Sequence, residues 1–577
     1  MADENFPKNR AQIVVWTSVT AIVAAIVWQF LSLLSGTQCR CFPGDECWPS
    51  PADWAALNHS VHGALIATVP LASPCHDTFP GVAYDAERCA EIQANWPRPE
   101  LHLQTTHSPM ASFFVNMSCD PFTPREAQCE IGAYMPYAVN ASGVSDYQNT
   151  IAFAKAHNIR LVIRNTGHDY LGKSTGAGAL ALWTHYIKGT DVFDYSSPSY
   201  NEKAMKIGAG VIASEAQLAA MAHGYAVVGG ECETVGIAGG FTQGGGTGPL
   251  GSKFGLGADQ VLEWEVITAD GTLLLATPTL NQDLYWALSG GGGGTYGAVL
   301  SMTVKLHKNM PTATATLSFT EATDAFWDIL RVFVMNQPAM ADAGATLYWI
   351  VAPGNIFWLM QAYFPNGTAA EFTQLLQPTL QALDSSGIQY SFNNLDFPTY
   401  QDAYNADIPN INISVLNLGS RIIPRSLVAT SDSASDLVDA IQVLSDNSAT
   451  FIGVTINVSN PPTFPNAAHP AWRDSIFLAV YSLQYDQTNY TANVAAQDVF
   501  NNVLSPELDK LFPGGAAYLS EANFDQADWR QSFYGNNYAK LLTIKKKYDP
   551  GNVFWATTAV GSEALEVMAD GRLCETK

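Results

Sequence analysis

The chain has 577 residues, room for two to three domains, and its 47 % hydrophobic content excludes global disorder. Against 52 acidic residues stand only 28 basic ones, a net charge of −24, and such a surface repels a polyanion, which argues against a nucleic-acid binder. The 45 glycines and 14 tryptophans exclude a collagen-like or coiled-coil protein.

In chain order, residues 11–36 (AQIVVWTSVTAIVAAIVWQFLSLLSG) carry no charge and are long enough to span a bilayer. Lys8 and Arg10 precede them, so residues 1–10 are expected as a cytosolic tail and 11–36 as a transmembrane signal anchor, with the remainder translocated. A cleaved signal peptide, giving a secreted protein, is the alternative. Sequons at Asn58, Asn116, Asn140, Asn366, Asn412, Asn457 and Asn489 suit a glycoprotein of the secretory pathway. Residues 37–130 hold Cys39, Cys41, Cys47, Cys75, Cys89, Cys119 and Cys129 and read as an irregular, disulfide-stapled lead-in. With Cys574 they allow up to four disulfides, whose connectivity the sequence leaves open. A zinc site on Cys39, Cys41 and Cys47 lacks the partner spacing it needs, so no metal is expected. Cys232 is left over, in a glycine-rich segment.

From residue 131 helix and strand alternate. The spacing predicts a helix over Ser145–His157 and strands over Ile159–Ile163, Ala179–Trp183, Ala204–Ile207, Val261–Thr268 and Thr272–Leu275. A different region begins near Thr314, where aromatic strands (TLYWIV, NIFWLMQAYF, FLAVYSLQY) mix with helices such as Ala369–Asp384, a composition suited to a sheet covering a ligand cavity. Residues 525–555 read as one closing helix, capped by Asp525 or Asp528. Leu541, Leu542, Ile544 and Tyr548 give it an apolar face, Lys545–Lys547 suit its C-terminal dipole and Pro550 stops it.

Three motifs resemble other chemistries. Gly167–Ser174 matches the P-loop pattern and Gly172–Gly176 the hydrolase nucleophile elbow, but both require a helix directly afterwards, and TGAG followed by ALALW cannot start one cheaply. Gly208–Ala213 matches the dinucleotide fingerprint and precedes a helical stretch, SEAQLAAMAH. The acids that follow, Glu231 and Glu233, lie in a glycine turn rather than at a strand end.

Four segments fit together better: RNTGHDY (164–170), GGECETVGIAGGFTQGGG (229–246), ALSGGGGGTYG (287–297) and YGNNYAKL (534–541). Glycine clusters let main-chain N–H groups approach a pyrophosphate, because no Cβ intervenes. The imidazole of His168 and the thiol of Cys232 sit in such turns, where each is able to bond an electrophilic ring system.

On these residues the chain resembles the berberine-bridge-enzyme-like flavoprotein oxidases of the vanillyl-alcohol-oxidase superfamily, over roughly residues 115–310 and 510–565. The joint pattern is NTGHDYLGKSTG, GGECETVGIAGG, DLYWALSGGGGGTYG and YGNNYAKLLTIKKKYDP. The resemblance implies an α+β fold: a two-part PCMH-type FAD-binding domain (131–313), a substrate domain with an antiparallel sheet over the flavin (314–510), and a C-terminal segment (511–577) completing the FAD site. It implies covalent FAD, with His168 on the flavin 8α-methyl and Cys232 on C6. The cofactor shell would comprise Arg164, Asn165, Thr166, Gly167 and Asp169 around the histidine turn, Thr234, Val235 and Gly236 after the cysteine, and Gly239, Gly240, Gly244, Gly245 and Gly246 on the pyrophosphate side. The Asn537–Tyr538 pair would pack near the cofactor. Many members have a shorter spacing from the cysteine to the glycine triplet, with a histidine just before it; here the spacing is one residue longer and Phe241 stands in that region. The small Val235 favours oxygen access and hence an oxidase.

By the same resemblance, catalytic groups come from a strand before the closing helix, here Ala516–Glu521, with Tyr518 and Glu521 as base and hydrogen-bond partner. The alternative, that Tyr518 is core and Glu521 a helix-capping acid, stays open. The expected reaction is oxidation of a small alcohol, amine or phenolic natural product, in secondary metabolism, by hydride transfer to FAD. Molecular oxygen is the acceptor and hydrogen peroxide the product. A redox-neutral cyclase or isomerase on the same scaffold is the alternative. The expected partners are the small substrate and O2, with no nucleic acid and membrane contact through the anchor only, for a monomeric protein.

Overall fold

The structure, a computed structural model, describes residues 38–406 and 412–576. The signal anchor expected at 11–36 lies outside the described residues. Among the described residues no helix is long and apolar enough to cross a membrane.

Two sheets form the first half. In one, the strands Leu65–Ala67, Tyr137–Asn140, Leu180–Trp183 and Leu161–Arg164 lie in that order, the last three mutually parallel. The helix Val144–Ala156 links two of these strands and buries Tyr147, Ile151 and Ala154. The other sheet is antiparallel: Thr190–Asp194, Lys203–Gly208, Ala298–Lys305, Val261–Ile267 and Leu273–Ala276. All strands expected from hydrophobic runs in this half are present, with ends shifted by one or two residues.

The second half is a seven-stranded antiparallel sheet, ordered Tyr390–Phe397, Thr312–Thr320, Ile356–Pro365, Thr346–Ala352, Thr450–Thr455, Ser475–Gln484 and Leu416–Pro424. The two-residue period of a strand splits its side chains cleanly. Phe477, Ala479 and Tyr481 join a core with Phe333 and Leu437, from the helices Ala325–Ala343 and Ser431–Asp446. Leu478 and Val480 face the opposite way, with Tyr348 and Val454, toward the first half.

The lead-in is less irregular than its composition suggests. It carries the helices Pro51–Ser60 and Ala86–Asn95, and its strand Leu65–Ala67 edges the first sheet. Eight cysteines form four disulfides: Cys39–Cys574, Cys41–Cys47, Cys75–Cys89 and Cys119–Cys129. Cys41 and Cys47 are therefore spent on a disulfide, and Cys232 is the free cysteine.

The closing helix is two helices, a correction to the single one expected. Trp529–Tyr534 ends at Gly535 (φ 53°, ψ −138°), and Tyr538–Tyr548 follows a short 3-10 turn. A Cβ at Gly535 would lie 2.6 Å from His469 Nε2, so glycine is needed at the break. Asp528 precedes the first helix without a side-chain capping bond. Lys545 does not sit at a solvated helix end: its Nζ is buried on Asp549 Oδ2 (2.5 Å), Thr295 O (2.9 Å) and Phe554 O (2.6 Å). Asp549 also accepts from the N–H groups of Val553 and Phe554. This knot fixes the segment entering Trp555. Asp549→Asn leaves the ammonium buried without its counter-charge and is expected to destabilise the protein by about 3–5 kcal/mol, read as a lower urea midpoint.

Candidate active site

A cavity of about 510 Å³ lies where the two halves meet. Its floor is the inward face of the seven-stranded sheet, including Met360, Leu418, Ile452, Val454 and Val480; its walls are the histidine turn, the cysteine segment, the glycine run and the C-terminal segments.

The histidine turn leaves the C-terminal end of the strand Leu161–Arg164. Asn165 locks it: its Nδ2 donates to Ala209 O (3.0 Å), its Oδ1 meets His185 Nδ1 (3.0 Å), and its carbonyl accepts from Trp183 Nε1 (3.0 Å). Asp169 accepts from the N–H groups of Leu171 (3.0 Å) and Ser174 (2.7 Å), which folds 169–174 into a closed turn. No helix follows, so the P-loop and elbow patterns have no structural counterpart. The dinucleotide pattern is also structural: a Cβ on Gly208 or Gly210 would stand 2.3 Å from Ile187 O or His185 O, so these glycines allow strand packing.

The structure brings His168 and Cys232 together. His168 Nε2 is 2.7 Å from Thr234 Oγ1 and 3.9 Å from Cys232 Sγ, and Thr234 Oγ1 is 3.4 Å from the sulfur. Burial, with His102 and Arg164 nearby, pushes the imidazole down to about 3, so it is neutral. Burial pushes the Cys232 thiol up, against the hydrogen bonds of Thr234.

Asn165, Thr166, Gly167, His168 and Asp169 all line the cavity, as do Cys232, Val235, Gly236, Gly239 and Gly240. Side chains on Gly239 and Gly240 would meet nothing within 4 Å, so they would project into open space beside the cavity. Tyr518 and Glu521 also line it, although Ala516–Glu521 is not the strand expected. It is an irregular segment held by Ile422 N–H on Ala516 O (2.7 Å) and by Tyr518 N–H on Ser420 Oγ (3.2 Å). Burial pushes the Glu521 carboxyl up to about 7, so it is not a solvated helix cap.

Other expected shell residues act from behind the wall. Arg164 points away and donates to Ser108 O (2.6 Å). Gly244 and Gly245 pack under the Tyr518 segment: a Cβ on Gly244 would be 2.3 Å from Ser520 Oγ, and one on Gly245 3.7 Å from the Tyr518 ring. Asn537 and Tyr538 do not reach the cavity. Asn537 Nδ2 donates to Ala467 O (3.2 Å) and Tyr538 Oη to Glu563 (2.6 Å), so this pair staples the closing helices.

Sequence reasoning did not single out Tyr170, Lys173, Glu231, Tyr348 or Trp555, all on the cavity wall. Lys173 stands inside the P-loop pattern, and Glu231 enters the sequence reading only as an acid following the dinucleotide pattern.

The arrangement fits a flavin. A neutral imidazole and a thiol side by side can address one edge of a single aromatic ring, since the 8α-methyl and C6 share the benzenoid end of isoalloxazine. Open glycine backbone lies on the same wall. Comparison with known proteins agrees. Residues 136–277 match the FAD binding domain family, and residues 517–561 match the family described as berberine and berberine like. The chain is 46 % identical over 544 residues to FAD-linked oxidoreductase sor8 of Hypocrea jecorina, covering 94 % of each chain. It is 43 % identical over 548 residues to the VAO-type flavoprotein oxidase VAO615 of Thermothelomyces thermophilus, covering 93 % of this chain and 95 % of that one. The crystal structure of VAO-type flavoprotein MtVAO615 from Myceliophthora thermophila superposes with a TM-score of 0.90 at 42 % identity, over 93 % of this chain and all of that one.

Proposed function

Because the chain belongs to the berberine-bridge-enzyme-like family of VAO-type FAD-linked oxidoreductases, we propose that it is an oxidase of a small alcohol, amine or phenolic natural product. Its FAD is held covalently through His168 and also through Cys232, with O2 as acceptor and hydrogen peroxide as product. The observation that carries this reading is the His168–Cys232 pair, 3.9 Å apart, on one cavity with Tyr518 and Glu521. When bound, FAD supplies a two-electron acceptor that oxygen can reoxidise.

The chain's own residues supply the rest. His168, kept neutral by burial, offers its ring nitrogen for attachment, and Thr234 fixes the ring's orientation. Tyr518 and Glu521 serve as base and hydrogen-bond partner in removing the proton of the substrate's hydroxyl or amine. Burial, then the charge of Glu521, raises the Tyr518 phenol, and burial pushes the Glu521 carboxyl up to about 7. The aliphatic sheet floor holds the carbon skeleton and excludes water. Val235 is small enough to leave oxygen a path.

Four disulfides support an oxidising compartment. We place the protein, a monomer, in the secretory pathway, either anchored through residues 11–36 or secreted. Glycans are expected at the exposed Asn116, Asn366, Asn412 and Asn489 but not at Asn140, whose side-chain oxygen is buried. Screening alcohols, amines and phenols for coupled oxygen uptake and peroxide release tests the oxidase reading. Turnover without peroxide would favour a cyclase, and a colourless purified protein would defeat both.

A further inference from the structure

Thr234 stands between the two attachment atoms. Its Oγ1 is 2.7 Å from His168 Nε2 and 3.4 Å from Cys232 Sγ, while the sulfur is 3.9 Å from the same ring nitrogen. The threonine is buried and does not line the cavity, so it touches the pair from behind. The segment that carries it is pinned at both sides: Val235 N–H donates to Cys232 O (3.4 Å), Ser214 N–H to Glu233 O (3.0 Å) and Ala213 N–H to Val235 O (2.9 Å).

A hydroxyl has one proton to give and two lone pairs with which to accept. Burial keeps His168 neutral, with a single ring N–H. Two orders of protons are therefore open to the three groups. In the first, Nε2–H donates to Thr234 Oγ1 and the hydroxyl donates to the sulfur. In the second, the thiol donates to Oγ1, the hydroxyl donates to Nε2, and the ring N–H lies on Nδ1. Among the described residues Nδ1 has no hydrogen-bond partner. The second order thus orphans a donor on a buried ring, whereas the first leaves only a lone pair unused, which costs less. The first order also agrees with the thiol, which the hydrogen bonds of Thr234 lower against its burial.

We propose that Thr234 is a positioning residue for cofactor attachment: its hydroxyl takes the imidazole N–H at Nε2 and gives its own proton to Cys232 Sγ, which readies the Nδ1 lone pair and the sulfur as nucleophiles together. The proposal rests on the covalent-flavin reading above. In each attachment the new bond takes the electron pair of Nδ1 or of the sulfur. One hydrogen leaves the 8α-methyl group or C6 as a proton, and the imidazole N–H or the thiol gives up a second. The two electrons released reduce O2, the acceptor in that reading, and with the two protons make hydrogen peroxide. Because one hydroxyl serves both atoms, its loss weakens both links rather than one.

The test is tryptic mass spectrometry of the flavin-loaded full chain. Wild type is compared with Thr234→Val, which keeps the shape and loses the hydroxyl, and with Thr234→Ser, which keeps the hydroxyl. Wild type is expected to show one flavin mass shared by the His168 and Cys232 peptides. Thr234→Val should lower the doubly linked fraction by about five- to tenfold, the weight of one hydrogen bond, with flavin lost from both peptides, and Thr234→Ser should restore it. NMR of the histidyl flavin released from wild type by full proteolysis should show the bond on Nδ1. A valine variant linked as fully as wild type, a serine variant no better than valine, or a wild-type bond on Nε2 overturns the proposal. A loss confined to one peptide overturns the joint role. Thr234→Ala gives the same comparison should the valine variant not fold. The two readings fail differently: a doubly linked, peroxide-releasing wild type beside an unaffected valine variant removes only the role of Thr234, whereas wild type with flavin on neither peptide removes the covalent reading and this proposal with it.

Discussion

Acid-precipitated wild-type protein is expected to stay yellow, and the double variant His168→Ala/Cys232→Ala to precipitate white, its flavin left in the supernatant. The two side chains lie 3.9 Å apart and Thr234 touches both, so either single variant keeps the other attachment atom in place. Each single variant should therefore retain bound colour through one link, and only the pair should abolish it. Turnover falls in both singles, because a tether fixes the ring against the base; a loss of about tenfold to a hundredfold corresponds to ~1.4–2.8 kcal/mol of positioning. Tryptic mass spectrometry should find the His168 and Cys232 peptides carrying one shared flavin mass. Yellow precipitate from the double variant would place the attachment elsewhere.

Replacing Tyr518 by phenylalanine should slow substrate-driven flavin bleaching by about 10²–10⁴-fold, the range of a lost acid–base group, with flavin content unchanged. Glu521→Gln should act in the same direction. The pH dependence has a definite sign. Burial raises the Glu521 carboxyl to about 7, and the base form is the ionised one, so the bleaching rate should climb as pH rises through about 7. Stability runs the other way. The folded state holds this proton more tightly than the unfolded chain, so the contribution of Glu521 declines as pH rises from the ordinary carboxyl range toward about 7. Stopped-flow reduction across that range checks the first statement and urea titration of Glu521→Gln against wild type the second. A flat bleaching profile, or a Tyr518→Phe variant as fast as wild type, would return Tyr518 to a packing role.

The histidine turn and Cys232 were legible because their chemistry needs specific atoms beside flexible backbone, and both signals survive in one dimension. The strands were legible for a similar reason: hydrophobic runs such as IRLVI and FLAVYSLQY have nowhere to go but a buried sheet. Glycine runs were ambiguous. Gly239 and Gly240 open onto the cavity, whereas Gly244 and Gly245, a turn further on, pack under the Tyr518 segment, and Gly210 only lets a strand pass a carbonyl. Composition cannot separate these uses, because each depends on which distant segment arrives opposite. Gly535-Asn536-Asn537 are poor helix formers and do signal a break, but His469, which makes glycine necessary there, is remote in sequence. Glu231 reads from the sequence only as an acid in a glycine turn; its place on the cavity wall depends on the distant segments that complete that cavity.

The bond between Cys39 and Cys574 spans 535 residues, and cavity walls at Tyr518–Glu521 and Phe554–Ala556 are built late in the chain. A nascent polypeptide therefore carries a half-made pocket until its synthesis is nearly finished. A chain ended before Phe554 lacks part of the pocket's wall, and one ended anywhere before Cys574 leaves Cys39 without its partner.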